Sequence, residues 1–426
     1  MKNYPNYFFQ NWAKNVRYEN LNFFQPENLE ELKELIKKLE TVHLVGSGHS
    51  WYDFWKNAKN LIDLSSFHFE PIIDQDTWEV ELPAGMKLWQ INDFLDAHHL
   101  ALMNLGSIDQ QSIAGAITTG THGSGKNYGC LATQCTEFTL LDGKGHLHTL
   151  SPENPDYYAC LISVGLMGII VKLKIQAVPA FQIQENTFAC AWQEAVENFG
   201  DWINHYDHLK IWWLPPSKEV VVYALTRTNE AIQESQWQNF WREKVLSVWF
   251  YRLFVILGNW YPRLRPRINQ FLTSQMRKPY ERTNKSYKIF KVPEPPAHRE
   301  TEWAFPLENY QKILFHYFQH YSDNRFTFNF IQEIRVSKKD DFWLSPSYQR
   351  DSLWIGLYNH EDKQWNHLVK DFQNFALNYE ARPHWGKEYD LDINQIASLF
   401  PKWRDFLNIR SKYDPQNKFL GHFPKL

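Results

Sequence analysis

The chain has 426 residues, a length that suits two domains better than one. A formal charge of −3 with 22% charged residues gives no basic surface for nucleic acid, and 43% hydrophobic residues are ample for large cores. Aromatic residues make up 16% of the chain; most are core material, although aromatic faces also hold sugars and flat cofactors.

Cys130, Cys135, Cys160 and Cys190 show neither metal-ligand spacing nor disulfide density, which points to a reducing compartment. The N-terminus lacks an apolar signal region, and no uncharged apolar run is long enough to span a bilayer. The expected location is cytoplasmic, soluble or peripheral on the inner face of a membrane.

A helix is expected to begin at Pro26, with Leu29, Leu32, Leu35, Ile36 and Leu39 as its apolar stripe, Glu early and Lys late. Val42–Val45 then reads as a short buried strand. Gly46-Ser47-Gly48-His49-Ser50-Trp51 ends it in a tight turn whose backbone N–H groups suit an anion. Trp51 stands where a dinucleotide fingerprint needs its third glycine, so an ordinary Rossmann site is excluded. Strands follow near Leu61–Leu64 and Trp78–Leu82, and a helix near Trp89–His98. Alternating helices and strands indicate an α+β nucleotide-binding domain.

A second glycine-rich stretch comprises Leu105-Gly106-Ser107-Ile108 and the run from Ser112 through Gly115, Thr118, Gly120, Thr121, His122 and Gly123 to Gly125. Gly120-x4-Gly125-Lys126 nearly spells a P-loop, but Asn127 lacks the hydroxyl that Mg²⁺ requires. Thr136–Leu141 and Gly145–Leu150 read as a hairpin about Asp142-Gly143. His146 and His148 alternate along it as surface residues, and no further metal ligand accompanies them. Gly165–Val171, including Gly168 and Ile170, leads into a strand ending at Pro179.

In the second half, Ile211–Leu214 and Glu219–Thr226 read as strands. From Lys244 to Lys278 there is no Asp or Glu. The apolar Val245–Leu257 within it is too short, and too charged at Arg252, to span a bilayer. It is either a core-packed helix or an interfacial one with basic anchors. Ile331–Val336 is a strand that puts Glu333 and Arg335 on one side, as a structural ion pair or as a pair pointing into a site. Arg382-Pro383-His384-Trp385-Gly386-Lys387 reads alone as a loop with a snorkelling lysine.

Together these motifs resemble the PCMH-type (vanillyl-alcohol-oxidase) superfamily of FAD enzymes, in its sugar-1,4-lactone oxidase branch, which includes gulonolactone, arabinonolactone and alditol oxidases. Phe9–Asn15, the 340–352 stretch and the ending from Ile409 to Leu420 extend the resemblance over nearly the whole chain. It implies a two-subdomain FAD-binding domain at 1–179 and a substrate-binding cap at 180–380, with a large antiparallel sheet flanked by helices. An insertion at about 237–300 and a C-terminal segment, 381–426, that returns to the flavin complete the outline.

The resemblance further implies FAD bonded covalently through His49. The group would be cradled by Gly46, Ser47, Gly48, Ser50, Gly106, Ser107, Ser112, Gly115, Thr118, Gly120, Thr121, His122, Gly123, Gly168, Ile170 and Lys387. Glu333, Arg335, Lys387, Ser107 and His384 would carry the chemistry, with no metal; Glu333 and His384 are the candidate bases. Relatives often carry His or Asn in the strand after Asp351, where this chain offers Gly356 and Tyr358, so its pocket is expected to be reshaped.

The expected activity is oxidation of an aldono-1,4-lactone, with hydride passing to flavin N5 and O₂ reoxidising the flavin to give H₂O₂. In the family, Gly106 abuts the flavin edge that O₂ attacks, and a glycine is expected to leave a gap of about one methyl there. The alternatives are an alditol oxidase using the same residues, a flavin dehydrogenase with another acceptor, and a membrane-associated flavin protein without turnover. The 237–300 insertion favours the lactone branch, and gulonolactone oxidases with a similar insertion associate with membranes.

Overall fold

The computed structural model describes residues 1–233, 251–293, 296–322, 326–360 and 363–421. The first sheet comprises β1 (Lys2–Gln10), β2 (Arg17–Gln25), β3 (His43–Leu44) and β4 (Asn60–Ile62), in the order β1-β2-β4-β3. Helix α1 (Leu29–Lys38) buries Leu32, Leu35 and Ile36 beneath it. It starts at Leu29 rather than at Pro26, because the Asn28 side chain accepts the Glu31 N–H at 3.0 Å and sets the cap there.

The second sheet is built from β5 (Ile72–Ile73), β6 (Glu79–Pro83), β8 (Cys135–Leu141), β9 (Leu147–Leu150) and β10 (Ile169–Gln176), all antiparallel. Helix α2 (Leu88–Ala97), strand β7 (Leu100–Ala101), helix α3 (Ile113–Thr118) and helix α4 (Tyr157–Cys160) fill its connections, and β11 (Val178–Pro179) pairs with β7. In β10, the buried Val171, Leu173 and Ile175 alternate with Lys172 and Lys174, which pair with Glu81 and Glu137 on the wet side.

From Gln182 onward the strands form one eight-stranded antiparallel sheet: β12 (Gln182–Ala191), β13 (His208–Trp213), β14 (Glu219–Thr228), β15 (Tyr280–Lys285), β16 (Arg299–Pro306), β17 (Gln332–Ser337), β18 (Ser352–Asn359) and β19 (Arg382–Pro383). Their order is β15-β12-β14-β13-β17-β18-β16-β19. One face, with Trp213, Ile334, Trp303 and Ile355, is sealed in the core under α5 (Trp192–His205), α9 (Tyr310–Tyr321) and α10 (Trp365–Leu377). The two-residue period then puts Trp212, Glu333, Arg335, Glu300 and Glu302 on the opposite face, where they are polar yet largely buried.

That face is covered by the first half of the chain. Gly125 bridges to Ser337, His208 Nδ1 donates to the Ser124 carbonyl at 2.6 Å, and Val292 N–H donates to the Ser107 carbonyl at 2.9 Å. Helices α6 (Tyr251–Trp260), α7 (Arg265–Gln275) and α8 (Ser286–Phe290) follow β14 and flank β15. Residues 234–250, which include the start of the basic, apolar stretch, lie outside the described residues.

After α11 (Ile393–Leu399) and α12 (Trp403–Tyr413) the chain returns to the first half. Val42 N–H donates to Lys418 O, and Gly143 N–H to Tyr413 O, both at 2.9 Å. A Cβ at Gly143 would stand 2.7 Å from Asp414, so glycine permits this close return.

Candidate active site

One cleft runs between the Gly46–Ser50 turn, the start of α3, the 164–170 segment and the returning Phe419–Gly421. Its walls require glycine. A Cβ at Gly46 would lie 2.3 Å from Ser112 Oγ, and one at Gly115 would lie 3.0 Å from the same atom. Gly48 has φ +67, a left-handed conformation that side chains resist. Glycine thus lets the turn and the start of α3 close on Ser112, and the cleft beside them, walled largely by backbone and small residues, fits the phosphates of a dinucleotide.

Gly46, Ser47, Gly48, His49, Ser50, Ser112, Gly115, Thr118, Gly168 and Ile170 all line this cleft. Ser47 and His49 also line a second cleft with Lys87, Trp89 and Gln90, so His49 stands where the two meet. Its ring stacks on Trp12 at 5.3 Å. Lys87 Nζ donates to Ser47 Oγ at 2.9 Å, bringing a cation to the turn.

Gly106, Ser107, Gly120, Thr121, His122 and Gly123 lie outside those cleft walls, leading toward the cap sheet. A Cβ at Gly106 would come within 3.1 Å of Thr121 Cγ2 and 3.4 Å of the His122 carbonyl. The space beside Gly106 is thus tighter than the expected methyl-sized gap, because Thr121 already leans into it.

Across from this run lies a buried charge cluster. Arg335 Nη2 donates to Glu302 Oε1 at 2.6 Å, and its Nε lies 3.2 Å from Glu333 Oε2. Glu333 also accepts from Trp212 Nε1 at 2.9 Å and from the Tyr358 hydroxyl at 3.1 Å. Burial works against its charge, but Arg335, Lys210 and the Trp212 hydrogen bond hold its carboxyl below the usual range. Glu302 is likewise held well below it, chiefly by Arg335 and then His122, despite burial.

Lys387 ion-pairs with Glu300, and its Nζ sits 3.9 Å above the Trp51 ring. Trp51 is itself pinned by a 2.7 Å hydrogen bond to the His298 carbonyl. Burial and the neighbouring Glu302 push Glu300 upward against the pull of Lys387.

His122 and His384 join this cluster from the other side. His122 stacks on Trp354 at 3.7 Å, and its Nε2 lies 3.5 Å from Glu302. His384 Nδ1 accepts the Gly386 N–H at 3.0 Å, and burial disfavours a charged ring, so the proton of the neutral ring sits on Nε2. Ligand atoms of His122, Glu302 and His384 come within 4.8 Å of one another. Glu302, however, already accepts from the Arg335 guanidinium, whose charge opposes a cation there.

The structure thus brings together Glu333, Arg335, Lys387, His384 and His122, and sets Ser107 under Val292 at the edge of the same region. The sequence reading missed Glu300, Glu302 and Trp212. The alternation of two acids in Arg299-Glu300-Thr301-Glu302-Trp303 was an available signal, of the same kind that singled out Glu333 and Arg335. His148 Nε2 donates to the Asp142 carboxylate at 2.8 Å, within its own hairpin.

Residues 173–425 match the family model for D-arabinono-1,4-lactone oxidase, and residues 21–151 match one for an FAD-binding domain. The chain is 28% identical to L-gulonolactone oxidase of Mus musculus over 97% of each sequence. It is 27% identical to L-gulono-1,4-lactone dehydrogenase of Mycobacterium tuberculosis over 94% of each. A similar identity, 29%, relates it to D-arabinono-1,4-lactone oxidase of Saccharomyces cerevisiae over 72% of this chain and 62% of that one. In fold it resembles the crystal structure of cholesterol oxidase from B. sterolicum, with a TM-score of 0.82 at 15% identity, covering 98% of this chain and 96% of the other.

Proposed function

This chain belongs to the D-arabinono-1,4-lactone oxidase family, whose model spans more than half its length, and from that membership we infer an FAD-dependent oxidoreductase that oxidises a hydroxyl of an aldono-1,4-lactone. The observation that carries the reading is the buried Glu302–Arg335–Glu333 chain beside Lys387, facing the first half of the molecule. FAD, when bound, supplies the hydride acceptor.

The residues here divide the remaining work. Arg335 presents a fixed cation to substrate oxygens, and Glu333 accepts a hydrogen bond from the reacting hydroxyl. Of the two candidate bases, Glu333 is the better acceptor, since its carboxyl is held ionised whereas His384 Nδ1 is already engaged by the Gly386 N–H. Lys387 places positive charge where the reduced cofactor becomes negative. Burial of the cluster excludes water and strengthens each of these interactions. Anaerobic bleaching of the bound flavin by sugar lactones tests the reading, with Glu333→Gln as the control.

Two finer assignments belong to the same proposal. His49 would bond the flavin covalently, a reading supported by its position at the junction of the two clefts and its stack on Trp12. In this reading O₂ is the electron acceptor, supported by a glycine at position 106, where a Cβ would press on Thr121.

Peripheral contact with a membrane is supported by α6, α7 and the turn between them. Val255 packs against Phe330 and Tyr358, so one side of α6 is core, while Leu253, Ile256, Trp260, Tyr261, Leu264 and Phe271 are exposed, Trp260 at 73%. Arg252, Arg263 and Arg267 are exposed among them, and no helix of the described residues is long and apolar enough to cross a membrane. An apolar patch rimmed by arginines suits an anionic lipid surface. Sedimentation with anionic vesicles, lost in Trp260→Ser/Tyr261→Ser, is expected; equal sedimentation of both proteins would contradict it.

A further inference from the structure

Lys210 lies on β13 two residues before Trp212, on the same sheet face as Glu333 and Arg335. The antiparallel register that pairs Ile211 with Ile334 and Trp212 with Glu333 brings Lys210 beside Arg335. It is only 4% exposed. Among the described residues no hydrogen bond or ion pair reaches its Nζ, which lies 5.7 Å from the centroid of the Tyr223 ring on β14. Buried lysines are rarely left unpaired, and like charges side by side on neighbouring strands destabilise a sheet.

The carboxylates that face it are committed elsewhere. Glu333 is taken by Arg335, Trp212 and Tyr358. Glu185 on β12 is held by Arg282 on β15 through two hydrogen bonds of 2.8 and 3.0 Å. The Lys210 amine thus feels Glu333 and Glu185 only at a distance and keeps its hydrogen-bond donors free on the sheet face of the charge cluster.

We propose that Lys210 binds substrate, forming with Arg335 a two-cation cradle for the ring carbonyl oxygen of a lactone. The proposal rests on the functional reading above and deepens it. A carbonyl oxygen accepts from both cations and has no hydrogen to oppose them, whereas a polyol hydroxyl must turn its own proton away. The cradle therefore selects lactones over open-chain polyols, a distinction that Glu333, Arg335 and Lys387 do not make. Burial first, and Arg335 and Arg282 after it, lower the Lys210 pKa against the pull of Glu333 and Glu185, so its charge weakens as pH rises.

The test compares wild type, Lys210→Met and Lys210→Arg as flavin-loaded full-length proteins, in anaerobic stopped-flow reduction by L-gulono-1,4-lactone across a pH series. Lys210→Met is expected to weaken lactone binding tenfold or more, with Lys210→Arg restoring part of it. γ-Butyrolactone, which has the carbonyl and no hydroxyl, should lose potency as a competitor by a similar factor. Wild-type binding should weaken as pH rises, and that trend should flatten in Lys210→Met. Melting of Lys210→Met should stay close to wild type, since the substitution breaks no direct hydrogen bond or ion pair and the burial cost of the charge offsets its attraction to Glu333. Lactone binding within twofold of wild type, or an undiminished pH trend in Lys210→Met, would overturn the assignment. Failure of the lactone to bleach even the wild-type flavin would instead overturn the functional reading beneath it.

Discussion

Arg335 on β17 and Glu302 on β16 meet at 2.6 Å across an intervening strand. At the register of Glu302 and Glu333 that strand, β18, carries Gly356, so no side chain stands between them. The space above Gly356 is taken by Tyr358, whose ring would lie 3.0 Å from a Cβ there and whose hydroxyl holds Glu333. Gly356 and Tyr358 thus build the pocket's brace: one clears the path, the other closes over it.

Removing either carboxylate should leave Arg335 buried and half-paired. Glu302→Gln and Glu333→Gln are both predicted to slow flavin reduction by lactone on the order of a hundredfold while retaining flavin, since breaking one side of a buried charge pair costs about 2–5 kcal/mol. Wild-type reduction rates in both variants would make the cluster merely structural.

The flavin bond is checked separately. Acid-precipitated wild type should remain yellow, and His49→Ala should release its flavin to the supernatant. Complete release from the wild type would refute the covalent link.

Oxygen access has a geometric test. A methyl at Gly106 would press on Thr121 Cγ2 at 3.1 Å. Thr121→Ser removes that carbon yet keeps the hydroxyl that accepts from Gln111. Gly106→Ala and Gly106→Ala/Thr121→Ser are both predicted to slow reoxidation by O₂ while sparing turnover with a dye acceptor. Recovery of the O₂ rate in the double variant would assign the effect to displacement of Thr121 rather than to a gate.

Stability should fall in mild acid. Burial lowers His43 and His208 to about 4 and His298 to about 3. The unfolded chain therefore binds protons that the folded one refuses, so stability is full above about pH 6.5 and is lost as pH falls toward 4. The melting temperature should drop across that window, less steeply in His208→Gln. Identical slopes would show that other groups set the acid limit.

Much of this site was legible in the sequence. Glycines whose Cβ would strike Ser112 are visible as glycines, and period-two alternation alone put Glu333 and Arg335 on one face. What escaped depends on strand order. Glu302 lies 33 residues before Arg335 and reaches it over a third strand, a relation that no local pattern encodes. Lys210 was hidden for a similar reason, inside a strand that reads as apolar and aromatic. The α6 segment was ambiguous because its apolar residues divide between two settings, Val255 in the core and Trp260 in solvent.

The most direct test of the whole account is anaerobic stopped-flow reduction of the bound flavin by gulono-, galactono- and arabinono-1,4-lactone beside xylitol and sorbitol. The account predicts saturable bleaching by at least one lactone, at least tenfold more efficient than by either polyol. Bleaching by polyols alone, or by none of the five, would contradict it.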